Sequence, residues 1–141
     1  MEFVHRFPIR VYWEDTDAGG IVYHSNYLKF AERGRTEFLR DLGVEQSILA
    51  HDGYAFAVSH ADVVFLKSAK LDDLLEVESR LTDLGGATVR FEQNIKRVDD
   101  GAILVRLNIR VGFIAVGAGR PARMPKDLKS QLLVKLNERQ S

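Results

Sequence analysis

Residues 14–28, EDTDAGGIVYHSNYL, gather two carboxylates, a glycine pair, a histidine and an amide just ahead of an amphipathic segment. A carboxylate placed there is an acid or base beside the unpaired N–H groups that open a helix. Such groups hold a developing negative charge, as on the oxygen of an attacked carbonyl. The chemistry outlined is acyl transfer. Asp17 is the candidate general base for water, or the nucleophile, at an ester or thioester carbonyl, and an apolar pocket would keep it reactive by desolvation. His24 is the candidate proton donor or positioning group, with its own N–H in the oxyanion site. Gly19 and Gly20 allow a substrate close to the main chain. A plainer reading competes with this one. In it Asp15 and Asp17 only hold a turn through Asx hydrogen bonds, His24 is a capping or surface residue, and Tyr23 and Tyr27 are core or interface aromatics.

Other chemistries find no support. His5, His24, His51 and His60 lack metal-ligand spacing, so neither a metal site nor a cofactor is expected. No glycine-rich phosphate loop follows a parallel strand, and G-x-S-x-G is missing. Cysteine is absent, which removes disulfides, thiolate nucleophiles and cysteine-based zinc sites and suits a reducing compartment. Arg120, Arg123 and Lys126 cluster beside prolines; they are either a solvated loop or contacts for the phosphates of a nucleotide-bearing thiol carrier.

The elements that must position these groups read as follows. A strand is predicted over Ile9–Glu14, with Ile9, Val11 and Trp13 on one face. From Asn26 to Leu42 the spacing turns helical through Tyr27, Phe30, Ala31, Gly34, Phe38, Leu39 and Leu42, a helix roughly 25 Å long. Ser25 or Asn26 is its N-cap and Gly43 its C′ residue. Gly34 in its middle costs about 1 kcal/mol against alanine, which a close approach of helix to sheet would explain. Strands follow over Tyr54–Lys67, Leu74–Thr82, Thr88–Val98 and Ala102–Val116, punctuated by Gly85-Gly86 and Asp99-Asp100-Gly101. The first of these places Phe56, Val58 and Val64 on one face and Ala57, Ala61, Val63 and Phe65 on the other. A short helix carrying Leu128, Leu132, Leu133 and Leu136 closes the chain, with Pro125 in its first turn. One long helix and an antiparallel meander imply an α+β protein. A strand apolar on both faces points to a homodimer joined through sheets.

The chain, 141 residues with 20 basic and 20 acidic side chains, suits a single domain over 1–141. Zero formal net charge gives no overall field to recruit nucleic acid. The N-terminal residues do not read as a signal peptide, and no apolar run reaches the ~20 residues that span a bilayer. A soluble cytoplasmic domain is expected.

Asp15 to Leu28, D-T-D-x-x-G-x-V-Y-H-x-N-Y-L, followed by F-x-E-x-x-R-x-E-F-L over Phe30–Leu39, resembles the hotdog-fold acyl-CoA thioesterases. The similarity is to the Tol–Pal-associated, YbgC-type branch, relatives of 4-hydroxybenzoyl-CoA thioesterase. It extends to Val58–Leu66, Ala69–Asp73 and residues 119–125. The resemblance implies an antiparallel sheet wrapped around a long central helix, assembled as a homodimer or homotetramer. It implies thioester hydrolysis with Asp17 as the essential carboxylate, the His24 amide polarising the carbonyl, and acyl-CoA as substrate. Gly20, Tyr23, Asn26, Tyr27, Arg120 and Arg123 are the expected substrate contacts, and an acyl carrier protein is a possible partner. Histidine at position 24 fits the Tol–Pal branch, where the 4-hydroxybenzoyl branch has tyrosine. Ser68 stands where many relatives have proline, at a position that touches no proposed catalytic group.

Two alternatives accompany this expectation. His5-Arg6-Phe7-Pro8 resembles the H-x-F-P element of hotdog hydroxyacyl dehydratases, without their downstream motif. A non-catalytic acyl-CoA sensor or envelope-complex adaptor would keep the fold and bind ligand without consuming it.

Overall fold

The computed structural model describes the backbone of residues 3–140 and the side chains of residues 3–136. Six strands form one antiparallel sheet: β1 (His5–Arg10), β2 (Tyr54–Phe65), β3 (Leu74–Leu84), β4 (Thr88–Arg97), β5 (Ile103–Ala115) and β6 (Arg120–Pro121). Their order is β1-β3-β4-β5-β2, with β6 paired to the end of β5. Among the described residues three α-helices accompany them: α1 (Asn26–Asp41), α2 (Gln46–His51) and α3 (Lys126–Gln140).

Register turns the period-two patterning into continuous rows across the sheet. Phe7, Val77, Ile95, Val105 and Phe65 stand side by side through all five main strands. The inner face of that sheet receives Tyr27, Phe30, Ala31, Phe38 and Leu39 of α1, all buried. Gly34 is where helix and sheet come closest. A Cβ there would lie 2.6 Å from Val77 Cγ1, so the mid-helix glycine is the contact that lets α1 seat. The helix ends as its sequence requires. Gly43 takes φ +85°, its N–H donates to the Arg40 carbonyl, and the Val44 N–H donates to the Leu39 carbonyl, which is a Schellman closure. The curled sheet with a helix across it is the hotdog architecture that the resemblance implies.

Three expectations are corrected. The first strand lies earlier than predicted, because Trp13–Asp15 forms a 3-10 turn. There the Tyr12 N–H donates to Asp15 Oδ2, and Trp13, predicted on a strand face, is 74% exposed. Helix α2 falls in a stretch for which no element was predicted. The third correction concerns β2. A bulge between Val58 and His60 shifts its register, so Val58 pairs opposite Val111 while Ala61 pairs opposite Ile109. Phe56, Val58, Ala61, Val63 and Phe65 therefore share the inner face, and only Ala57 and Val64 of the residues named stand on the other. Much of β2 is nonetheless exposed, including Val58 and Phe65, because it is an edge strand beyond the cover of α1.

Candidate active site

The site is built from a loop that doubles back on itself. The Asp17 N–H donates to the Ile21 carbonyl and the Gly20 N–H to the Asp17 carbonyl, with Gly20 at φ +78°. That positive φ is why a glycine stands there. The Gly19 N–H donates to Asp17 Oδ1 at 2.9 Å, the Asx bond of the plainer reading. It engages one carboxylate oxygen only. Oδ2 accepts no hydrogen bond from any described residue.

Asp17 lines a cleft of about 310 Å³ together with Tyr23, His24, Tyr27, Phe65 and Ser68. Tyr27 comes from the first turn of α1. Its hydroxyl accepts the Ala69 N–H at 2.9 Å, and burial raises its pKa, partly offset by that bond. The Val22 N–H donates to the Ala69 carbonyl, so the segment after β2 is tied both to the acidic loop and to the helix. The His24 ring packs 4.4 Å from Tyr23 and edge-on to Phe65 at 6.3 Å, centroid to centroid. The N–H groups of His24, Ser25 and Tyr27 have no acceptor among the described residues. Ser25 is the N-cap residue but makes no side-chain cap bond. Unpaired amides at a helix start form an electropositive edge, and two of the residues that carry them, His24 and Tyr27, line the cleft with Asp17.

Asp15, the other carboxylate of the pair, does different work. It is 4% exposed, accepts Asn26 Nδ2 at 2.9 Å on Oδ1, and accepts the Tyr12 N–H on Oδ2. Asn26, predicted as a substrate contact, is buried in that bond and fixes the first residue of α1 to the 3-10 turn. Asp17 itself is exposed in the single chain, so the expected desolvation is not supplied by this chain alone.

Arg120 and Arg123 are not brought to the cleft. They follow the Ala115 end of β5, beside the Tyr54 end of β2, whereas the cleft lies at the Phe65 end. Eleven residues of extended strand separate the two ends, roughly 36 Å. The His5-Arg6-Phe7-Pro8 string forms β1, and the buried His5 ring bonds Asp41 at the far end of α1 from Asp17.

Phe65, Leu66, Lys67 and Ser68 were not predicted as site residues, yet all four line the cleft. Both Leu66 and Lys67 donate their N–H to the Leu104 carbonyl, a bulge that ends β2 and turns the chain toward Asp17. Ser68, expected to touch no proposed catalytic group, is a wall of the same cleft. The available signal was a strand apolar to its last residue and followed directly by Lys-Ser.

Sheet, helix and acidic loop together define a hotdog thioesterase type of protein. The chain belongs to the thioesterase-like superfamily, whose model matches residues 11–132. It is 43% identical over 125 residues to the acyl-CoA thioesterase YbgC of Haemophilus influenzae, spanning 88% of this chain and 90% of that one. It is 36% identical over 126 residues to the acyl-CoA thioester hydrolase YbgC of Escherichia coli, spanning 89% and 93%. Among solved structures, a "probable thioesterase" from Bartonella henselae superposes with a TM-score of 0.81 at 39% identity, over 87% of this chain and all of that one.

Proposed function

We propose that the protein hydrolyses acyl-CoA thioesters to the free acid and CoA. The observation that carries this reading is the Asp17 carboxylate, with one oxygen free, in a cleft also lined by His24 and Tyr27, whose N–H groups are unpaired. The thioester carbonyl oxygen sits against the His24 N–H and its neighbours, which stabilise the oxyanion as it forms. Asp17 either removes a proton from attacking water or attacks the carbonyl carbon itself. In both routes the C–S bond breaks and CoA leaves as thiolate. Solvent oxygen retained in Asp17 after a single turnover in labelled water marks the nucleophilic route.

The reading extends to assembly. Exposed inner-face residues of β2 support a homodimer formed by antiparallel pairing of two β2 edges, either alone or doubled into a homotetramer. Such pairing sets the Tyr54 end of one protomer near the Phe65 end of the other. Arg120 and Arg123 would then serve the partner's cleft, where they contact the CoA phosphates, and the partner would supply the desolvation Asp17 lacks in one chain. An acyl carrier protein presents the same thioester on the same kind of arm, so it is the natural competing donor. No described helix is long and apolar enough to cross a membrane; we assign the protein to the cytoplasm, in association with the Tol–Pal system.

The test is thiol release from short, long and aromatic acyl-CoAs and from acyl carrier protein thioesters, with wild type and Asp17→Asn. Hydrolysis that vanishes in the variant supports the assignment. Ligand binding without turnover by wild type would make the protein a sensor, and loss of water from a hydroxyacyl thioester would make it a dehydratase.

A further inference from the structure

A second cavity system lies along the seam between α1 and β2. Its outer part, about 440 Å³, is an apolar groove bounded by Leu28 and Glu32 of α1, Val58 and Ala61 of β2, and Ile109 of β5. Its inner part, about 100 Å³, is a slot between α1 and the sheet, walled by Leu39, Phe56, Phe91 and Val111. Arg35 lines both parts.

Arg35 is the anomaly. It is only 8% exposed, and its sole hydrogen bond among the described residues is Nη1 donating to Gln93 Oε1 at 3.0 Å. Gln93 cannot turn to offer more, because its Nε2 is committed to the Ala31 carbonyl and to Ser79 Oγ, each at 2.9 Å. Glu32, one turn earlier, accepts from Thr36 Oγ1 at 3.2 Å instead. Burial pulls the guanidinium pKa down, opposed by the field of Glu32, yet arginine stays charged. A buried guanidinium with five N–H donors has one neutral acceptor, and Glu32, which lines the same cavities, acts on it through its field without a direct ion pair.

The groove begins at Leu28, beside the Tyr27 wall of the Asp17 cleft, and Arg35 stands eight residues further along α1 than Tyr27, about 12 Å. The cleft and the groove share no lining residue, and a chain whose carbonyl is held at the start of α1 reaches Arg35 by following the helix. We propose that Arg35 determines acyl specificity, by binding a carboxylate at the far end of a medium-length acyl group. This rests on the thioesterase reading for its substrate class. The acyl methylenes lie on the apolar walls, and the terminal carboxylate accepts from guanidinium N–H groups that no described carboxylate hydrogen-bonds.

The experiment compares octanoyl-CoA with its ω-carboxy counterpart, suberyl-CoA, in wild type, Arg35→Met and Arg35→Lys. Alongside, calorimetry measures binding of the non-hydrolysable thioether analogue of each. Wild type should favour the ω-carboxy substrate in kcat/KM, and its analogue in affinity, by about tenfold or more. Arg35→Met should lose that preference and keep octanoyl-CoA hydrolysis, and Arg35→Lys should restore part of it. Where Arg35→Met does not fold, Arg35→Gln, which keeps a donor for Gln93, carries the same comparison. Equal handling of the pair by wild type overturns the proposal. So does equal loss of both substrates in the variant together with a change in sedimentation, which would make Arg35 an ion-pair partner between two copies of this chain. If wild type turns over neither thioester but still binds the ω-carboxy analogue preferentially, the hydrolase reading falls and the Arg35 assignment stands.

Discussion

Asp15 and Asp17 are the same side chain two residues apart, and their surroundings divide the labour between them. Asp15 is sealed under the helix start with a donor on each oxygen, so its charge is consumed in holding Tyr12 and Asn26. Asp17 faces a cleft with one oxygen held by Gly19 and the other open. The first fixes where α1 begins; the second meets whatever lies at that beginning. The difference teaches that two like carboxylates part by how completely their neighbours pair them: the buried one is used up in structure and the exposed one keeps an oxygen for a ligand.

The largest effect expected from breaking this contrast is on turnover. Asp17→Asn should lower kcat/KM for the preferred acyl-CoA by about a thousandfold or more, the scale at which a single essential polar group fails. Its stability should stay within about 0.5 kcal/mol of wild type, because the amide oxygen of the new side chain still accepts from the Gly19 N–H and the site is exposed. Asp15→Ala should show the opposite profile. It strands the Tyr12 N–H and Asn26 Nδ2, and should cost about 3 kcal/mol in urea unfolding. Substantial activity in Asp17→Asn, or full stability in Asp15→Ala, would erase the distinction.

Much of the scaffold was legible because one periodicity dominated each segment. The extent of α1 was read to within a residue, since its apolar stripe, its C′ glycine and its mid-helix glycine all agree with one packing. The strands from Leu74 to Val116 were read nearly as well, from alternation between glycine-bearing turns. What escaped were places where local sequence carries no period. The bulge at Ser59 adds one residue to β2 and inverts the faces of everything after it, and no glycine or proline announces it. Trp13 alternates with Ile9 and Val11, but the backbone has by then been turned by the local bond from the Tyr12 N–H to Asp15, which alternation does not register. The same holds for the site. Asp17, Tyr23, His24 and Tyr27, which line one cleft, lie within eleven positions of one another, while Phe65–Ser68 reach it only through folding.

Because both aspartates act through the start of α1, displacing the helix without touching either one sharpens the comparison. Gly34→Ala places a methyl 2.6 Å from Val77 Cγ1, so helix or side chain must give way. The gain in helix propensity, about 1 kcal/mol, is outweighed by overpacking, and a net loss of about 1–2 kcal/mol is expected in urea unfolding. Activity should fall severalfold rather than a thousandfold, since the carboxylate and the amides move together. A drop as deep as that of Asp17→Asn would mean the cleft depends on helix placement more finely than the loop bonds imply.

The smallest effect comes from a third carboxylate, Glu78, which is buried like Asp15 but held by charges. It lies in β3 between Arg6 and Lys96, whose Nζ is 3.0 Å from Glu78 Oε1. Burial alone would raise its pKa; Lys96 and Arg6 outweigh that and hold it below the ordinary value. A folded-state pKa below the unfolded one means the stabilisation is complete above the unfolded value, about 4.3, and is lost as pH falls through the folded value. The urea midpoint of wild type should therefore be flat from about pH 7 to 5 as far as Glu78 is concerned, and decline below. Glu78→Gln should start lower at neutral pH and converge on wild type in acid. Parallel pH profiles for the two proteins would mean that the cations do no more for Glu78 than neutral donors do for Asp15.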